Sequence, residues 1–257
     1  MLRPRTRDAL AQTRGSGAHV VVVTGRMFRA ARPYLEQAAL DDLVVCYQGA
    51  VVADPATGEF LLHVPIPLAE AHDAMDAVLA AGFHLNCYLD DLLYVAQETP
   101  EARRYADFQH LEIHTVGDLR AWLDRRAADG ACSHLPTKLV AVGDPAALDE
   151  LEAELEPRFA GRLFISKSLP YFLEFAHPAV SKGSGLEFVA ERLGFGPEET
   201  VACGEGENDR ELLDWAGFGV AVANAHDDVL ARADLVVPSV QEEGVALLLE
   251  AYLDSVA

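Results

Sequence analysis

Short runs that are apolar at nearly every position recur along this chain, separated by stretches whose apolar residues fall at helical spacing. The runs lie at 19–23 (HVVVV), 43–47 (LVVCY), 200–203 (TVAC), 219–222 (GVAV) and 235–237 (LVV). A strand without polar alternation is covered on both faces, which is the pattern of a parallel sheet between two helical layers. The intervening segments predict helices over 7–14, capped by Thr6 and stopped by Gly15 and Gly17, and over 27–38, 207–215, 227–233 and 244–253. Between 65 and 177 the pattern changes. A helix over 68–80, a hairpin from 83–88 and 92–95, a strand at 138–142, a helix over 146–156 and strands at 162–166 and 171–175 read as α+β. The predicted organisation is α/β. Residues 1–64 and 178–257 form a Rossmann-like, doubly wound parallel core, and residues 65–177 form an inserted α+β domain.

Charge narrows the partners. With 20 Lys and Arg against 41 Asp and Glu, the net charge of −21 repels nucleic-acid backbones and anionic membranes, while leaving room for a local pocket holding one small anion. Cys46, Cys87, Cys132 and Cys203 lie far apart with no C-x-x-C pair, so neither a zinc knuckle nor a disulfide framework is expected. The run at 20–23 is too short for a signal-peptide core or a membrane span. These features predict a cytoplasmic protein and leave its oligomeric state open.

In an open parallel sheet, ligands collect beyond the carboxyl ends of the strands. Thr24 and Arg26 follow the first apolar run, Gln48 and Gly49 the second, and the segment GEGEND at 204–209 the third. Glu205 and Asp209 offer hard oxygen ligands of the kind Mg²⁺ takes. The plainer alternative is that Glu207 and Asp209 complement a helix N-terminus. Lys182, in VSKGSG at 180–185, precedes an amphipathic helix carrying Leu186, Val189 and Leu193, and could help to cradle a phosphate or be a solvated loop lysine. Asp90-Asp91 reads as a solvated hairpin turn, Cys203 as an inert thiol within a strand, and Leu212 and Trp215 as core-facing helix residues. The nine histidines have no H-x-x-x-H or H-E-x-x-H spacing, so none is assigned to a metal.

Taken in order, TGR at 24–26, Lys182 in VSKG, GEGEND at 204–209 and VAVANA at 220–225, split by a large insert, resemble the haloacid dehalogenase superfamily of phosphohydrolases. The resemblance is to the Cof-type branch with a large α/β (type IIB) cap and covers essentially the whole chain. It implies a Mg²⁺-dependent phosphatase of small phosphorylated metabolites such as sugar phosphates, working through an aspartyl-phosphate. By resemblance, Thr24 and Lys182 are catalytic, Arg26, Gln48 and Gly49 contact substrate, Glu205 and Asp209 hold the metal, and Asn208 steadies their loop. The inserted domain would be a mobile lid that sets specificity.

The sequence departs from the family at three places. Glu205 stands where the family usually has Asp, and Gln48-Gly49 where it commonly has Asn-Gly. The D-x-D-G-T motif bearing the nucleophile is not present, and Asp8, inside a predicted helix, does not replace it. The expectation is that Met1 is an internal methionine and that the first strand lies upstream. Without that strand, the runs at 20–23 and 200–203 would expose edges to a gap. The alternatives are a phospho-ligand-binding protein without catalysis and, more weakly, a phosphomutase.

Overall fold

The computed structural model describes residues 2–128 and 134–256, so Cys132 lies outside the described residues. The chain divides into two compact units, residues 1–62 with 181–257, and residues 63–180.

The first unit opens with helix α1 (Pro4–Gly15). Proline at its first position needs no amide partner and has its φ preset for a helix. Thr6 therefore lies within the first turn and is not the cap; its hydroxyl donates to Glu243 Oε1 at 3.1 Å. The apolar run at 19–23 is extended but ladders on one side only. Val45 N donates to the Val22 carbonyl at 2.9 Å, and Thr24 N to the Val45 carbonyl at 2.8 Å. Helix α2 (Phe28–Ala38) leads to strands β1 (Val44–Cys46), β2 (Val51–Ala53) and β3 (Phe60–His63), which form a three-stranded sheet. Strands β1 and β2 pair antiparallel, with Val45 opposite Val52. This return of the chain departs from the all-parallel reading, because a tight turn immediately after β1 sends it back along its own edge.

The second unit contains α3 (Leu68–Ala80), β4 (His84–Leu89), β5 (Leu92–Val95), α4 (Pro100–Gln109), β6 (Ile113–Thr115), α5 (Leu119–Ala127), β7 (Lys138–Val142), α6 (Pro145–Arg158), β8 (Phe164–Leu169) and β9 (Phe172–Ala176). Its sheet runs β6-β5-β4-β7-β9-β8, with β5–β6 parallel and the other assigned pairs antiparallel. One face buries Leu85, Leu139, Leu173 and Phe175 in a cluster that includes Met75, Leu123 and Leu151 from α3, α5 and α6. The other face buries a Lys138–Glu174 ion pair at 3.3 Å, and Tyr88 OH donates to Tyr105 OH at 2.5 Å. Glu174 raises the Lys138 pKa against the opposing effect of burial. At the β4–β5 turn Asp90 and Asp91 both have left-handed backbones. Asp91 is buried whereas Asp90 is exposed and pairs with Arg126, so only half of the turn is solvated as the sequence suggested.

The first unit resumes with α7 (Lys182–Leu193), β10 (Val201–Gly204), a single 3₁₀ turn at Glu207–Asp209, α8 (Arg210–Trp215), β11 (Phe218–Val222), α9 (Asp227–Leu230), β12 (Leu235–Val237) and α10 (Gly244–Val256). Strands β10, β11 and β12 are parallel neighbours in that order. Helix α7 serves both sheets of the unit. Val189 packs with Val45 and Val52, while Leu186 packs with Ala202 and Leu212 in a cluster joined by Val21 and Val23. Among the described residues, β10 ladders only with β11, and the 20–23 segment only with β1. Among the described residues, no helix is long and apolar enough to cross a membrane.

Candidate active site

Three loops and one helix start meet within the first unit. Ser181 caps α7: its hydroxyl accepts from Ser184 N at 3.0 Å, and Ser184 Oγ accepts from Ser181 N at 2.9 Å. Lys182 is thus the first residue of the helix and not part of the preceding loop. Its ammonium donates to Asp209 Oδ1 and, at 3.2 Å, to Asn208 Oδ1. Lys182 and Asp209 are 8 % and 6 % exposed, so each needs the other. A buried charge stripped of its partner costs about 3–5 kcal/mol.

Asp209 also closes its own loop. Its Oδ2 accepts from the backbone N–H groups of Glu205 and Gly206, each at 2.9 Å, which uses the amides freed by the turn after β10. This role includes the plainer helix-start reading of the acidic cluster and adds the contact with Lys182. The Glu205 carbonyl accepts from His226 N at 2.8 Å, tying the loop to the start of α9. The Glu205 carboxylate is exposed and hydrogen-bonds to nothing among the described residues.

Thr24 ends the 20–23 segment. Its Oγ1 accepts from Arg26 N at 3.1 Å, so the hydroxyl keeps its proton for another partner. The Arg26 guanidinium lies over the Tyr34 ring, 5.6 Å from its centroid. The Thr24 carbonyl accepts from Gln48 N at 3.2 Å, and Gln48 Oε1 accepts from Asn208 Nδ2 at 3.0 Å. Thr24, Gln48, Asn208, Lys182 and Asp209 therefore form one connected set. Arg26 borders this set through Thr24, and Glu205 reaches it through its backbone.

Sequence reasoning missed the shape of the loop at 47–49. Tyr47 and Gln48 have φ of 52° and 60°, and Gly49 has φ of 106°. Gly49 approaches α7 so closely that an added Cβ would collide with the Ser181 carbonyl. The only sequence signal was the glycine after a strand; two left-handed non-glycine residues give none. The Ser181 cap was legible, because serine three residues ahead of another hydroxyl at a helix start is a capping pattern.

The donor set suits Mg²⁺. That ion takes one or two carboxylates and completes its shell with waters and phosphate oxygens. Glu205 offers an unengaged carboxylate, and Asp209 holds the loop that presents it. Among the described residues no group of three His, Cys, Asp or Glu is arranged to hold a metal, so any binding here would depend on waters and substrate.

A family model described as haloacid dehalogenase-like hydrolase matches residues 1–249. The chain belongs to that family. Relatives of this haloacid dehalogenase-like hydrolase include the pyridoxal phosphate phosphatase YbhA of Escherichia coli, 26% identical over 261 residues covering 98% of this chain and 92% of YbhA. The crystal structure of TM0651 from Thermotoga maritima shares the fold with a TM-score of 0.84 at 28% identity, covering 97% of this chain and 90% of that one. The subclass IIB sugar phosphatase BT4131 matches with a TM-score of 0.82 at 22% identity, covering 100% and 93% of the two chains. The fold is therefore the α/β fold of subclass IIB haloacid dehalogenase-like proteins, and the family places the chain among phosphoric monoester hydrolases.

Proposed function

We propose that the connected set at Thr24, Lys182, Asn208 and Asp209 is the phosphoryl-binding site of a Mg²⁺-dependent phosphatase acting on small phosphorylated metabolites, sugar phosphates among them. The observation that carries this reading is the ammonium of Lys182, held at the mouth of α7 by Asp209 and Asn208 in a setting that is nine-tenths buried. A cation fixed there, linked to the Thr24 loop through Asn208 and Gln48, would stabilise charge on a transferring phosphoryl group without reorganising during reaction. Arg26 and the Gln48-Gly49 loop would border the substrate.

Mg²⁺, held by Glu205 directly or through water with Asp209 behind it, would neutralise phosphate charge. By the family resemblance the nucleophile would be an aspartate. Asp8 does not serve, because it is exposed on α1 beside Arg7. Residues 65–177 would act as the lid, and a cytoplasmic setting fits the proposed substrates. The test is turnover by the purified protein. Release of phosphate from para-nitrophenyl phosphate and a sugar-phosphate panel should require Mg²⁺, and Lys182→Met should lower kcat by ~100-fold or more. Loss of all turnover in every metal and ester tried would refute the reading, as would a Lys182→Met enzyme of unchanged rate.

A further inference from the structure

Gln48 occupies an unusual position for a glutamine. It is 9 % exposed, its backbone is left-handed (φ 60°, ψ 21°), and the preceding Tyr47 is left-handed as well. Such conformations persist only where surrounding contacts over-determine them. Those contacts are present on every side. The Gln48 amide N–H is fixed on the Thr24 carbonyl, and Gly49 is pressed against the α7 cap. The side-chain carboxamide lies so close to Gly25 that a Cβ there would collide with Gln48 Nε2.

The hydrogen bonds around it have only one consistent polarity. An ammonium can only donate, so Asn208 must turn Oδ1 toward Lys182. Its Nδ2 then faces Gln48, which must answer with Oε1. Gln48 Nε2 is left as the far end of the relay, beside Gly25, and it has no hydrogen-bond partner among the described residues. The donor direction set at Lys182 is thereby passed through two carboxamides to the Thr24–Gly25 loop. An asparagine at position 48 would be one C–C bond, about 1.5 Å, short of this reach.

We propose that Gln48 is a positioning residue for the phosphoryl site: its Oε1 locks the orientation of Asn208, and through it that of Lys182, and its Nε2 is left as an N–H donor for an anionic phosphate oxygen. The relay stands on the ligand-free geometry, whereas the donor role rests on the phosphatase reading above.

Two measurements test the halves separately. In the ligand-free protein, the Asn208 side-chain amide signals, identified by their loss in Asn208→Asp, should be at least 10-fold protected from hydrogen exchange. Gln48→Glu keeps an acceptor for Asn208 and should preserve that protection; Gln48→Met and the shorter Gln48→Asn should abolish it. Equal protection in all four proteins overturns the relay. In the second measurement, inorganic phosphate is titrated calorimetrically. Gln48→Glu, folded and with its Tm within 2 °C of the parent, should weaken phosphate binding more than 10-fold and raise KM for phosphate esters more than it lowers kcat. Unchanged phosphate affinity overturns the donor role. A parent protein that binds no phosphate overturns both the donor role and the phosphatase reading, and the exchange result alone then decides the relay.

Discussion

Burial drives the Cys203 thiol up to about 11, and the Asp209 and Glu205 carboxylates push the same way, because a thiolate there would face two negative groups. Cys87, fully buried in β4, is pushed up to about 12 by desolvation. The thiolate is the reactive species, so both residues should be inert at neutral pH although Cys203 stands two residues ahead of Glu205. At pH 8 the reactive fraction of Cys203 should be about two orders of magnitude below that of a free cysteine with a pKa near 8.5. Iodoacetamide labelling mapped by peptide mass spectrometry should therefore leave the Cys87 and Cys203 peptides unmodified in the native protein and label them fully in urea. Rapid native labelling of Cys203 would contradict the raised pKa of this half-buried thiol. The sequence reading of Cys203 as an inert thiol within an apolar strand agrees with this raised pKa. The two carboxylates were legible only as neighbours in a loop; their effect on the thiol depends on how that loop folds back over β10.

Element by element, local regularity decided what could be read. The amphipathic pattern over 68–80 matches α3 at its observed ends, and the turn residues between β4 and β5 gave the hairpin. No clear local pattern marks β2, β3, α4, β6 or α5: the strands are only three or four residues long, and α4 and α5 carry few apolar positions. Likewise the 19–23 run has strand composition but ladders on one side only, so it does not complete a strand of the sheet. The loop after β1 is the sharpest case. Gly49 combines a φ of 106° with contact against the Ser181 carbonyl, so Gly49→Ala should cost at least ~2 kcal/mol through strain and collision together. Gly15, the last residue of α1, has open space around its Cα. Gly15→Ala should be neutral or stabilising by up to ~1 kcal/mol. Urea unfolding of the two variants tests both signs, and a Gly49→Ala protein as stable as its parent would contradict the close approach of this loop to α7. The convergence of the strand-end residues was readable from the rule that ligands gather at strand ends, but the left-handed pair that carries Gln48 to Asn208 was not. It arises from tertiary pressure on residues with no local preference for it.

At the scale of the molecule, the two units differ in how their chain is supplied. Residues 63–180 are contiguous and, among the described residues, carry a six-stranded sheet and bury a cluster of 20 residues that draws on α3, α5, α6 and the strands. Their length falls within the usual range of an independently folding domain, about 100–150 residues. Every assigned strand pair of this sheet lies inside the segment, and its buried Lys138 finds Glu174 within the same segment. The first unit is instead assembled from both ends of the sequence, with α7 from the second segment packing against β1 and β2 from the first. Residues 63–180 expressed alone should therefore fold, whereas residues 1–62 alone should not, because they lack the helix that covers their sheet. Calorimetry of the 63–180 segment should show one cooperative transition with an unfolding enthalpy on the order of 80 kcal/mol near 60 °C, the value its length implies. A chain without near-ultraviolet circular dichroism and without a heat-capacity peak would show that this sheet depends on the rest of the protein, and the division into two folding units would then fail.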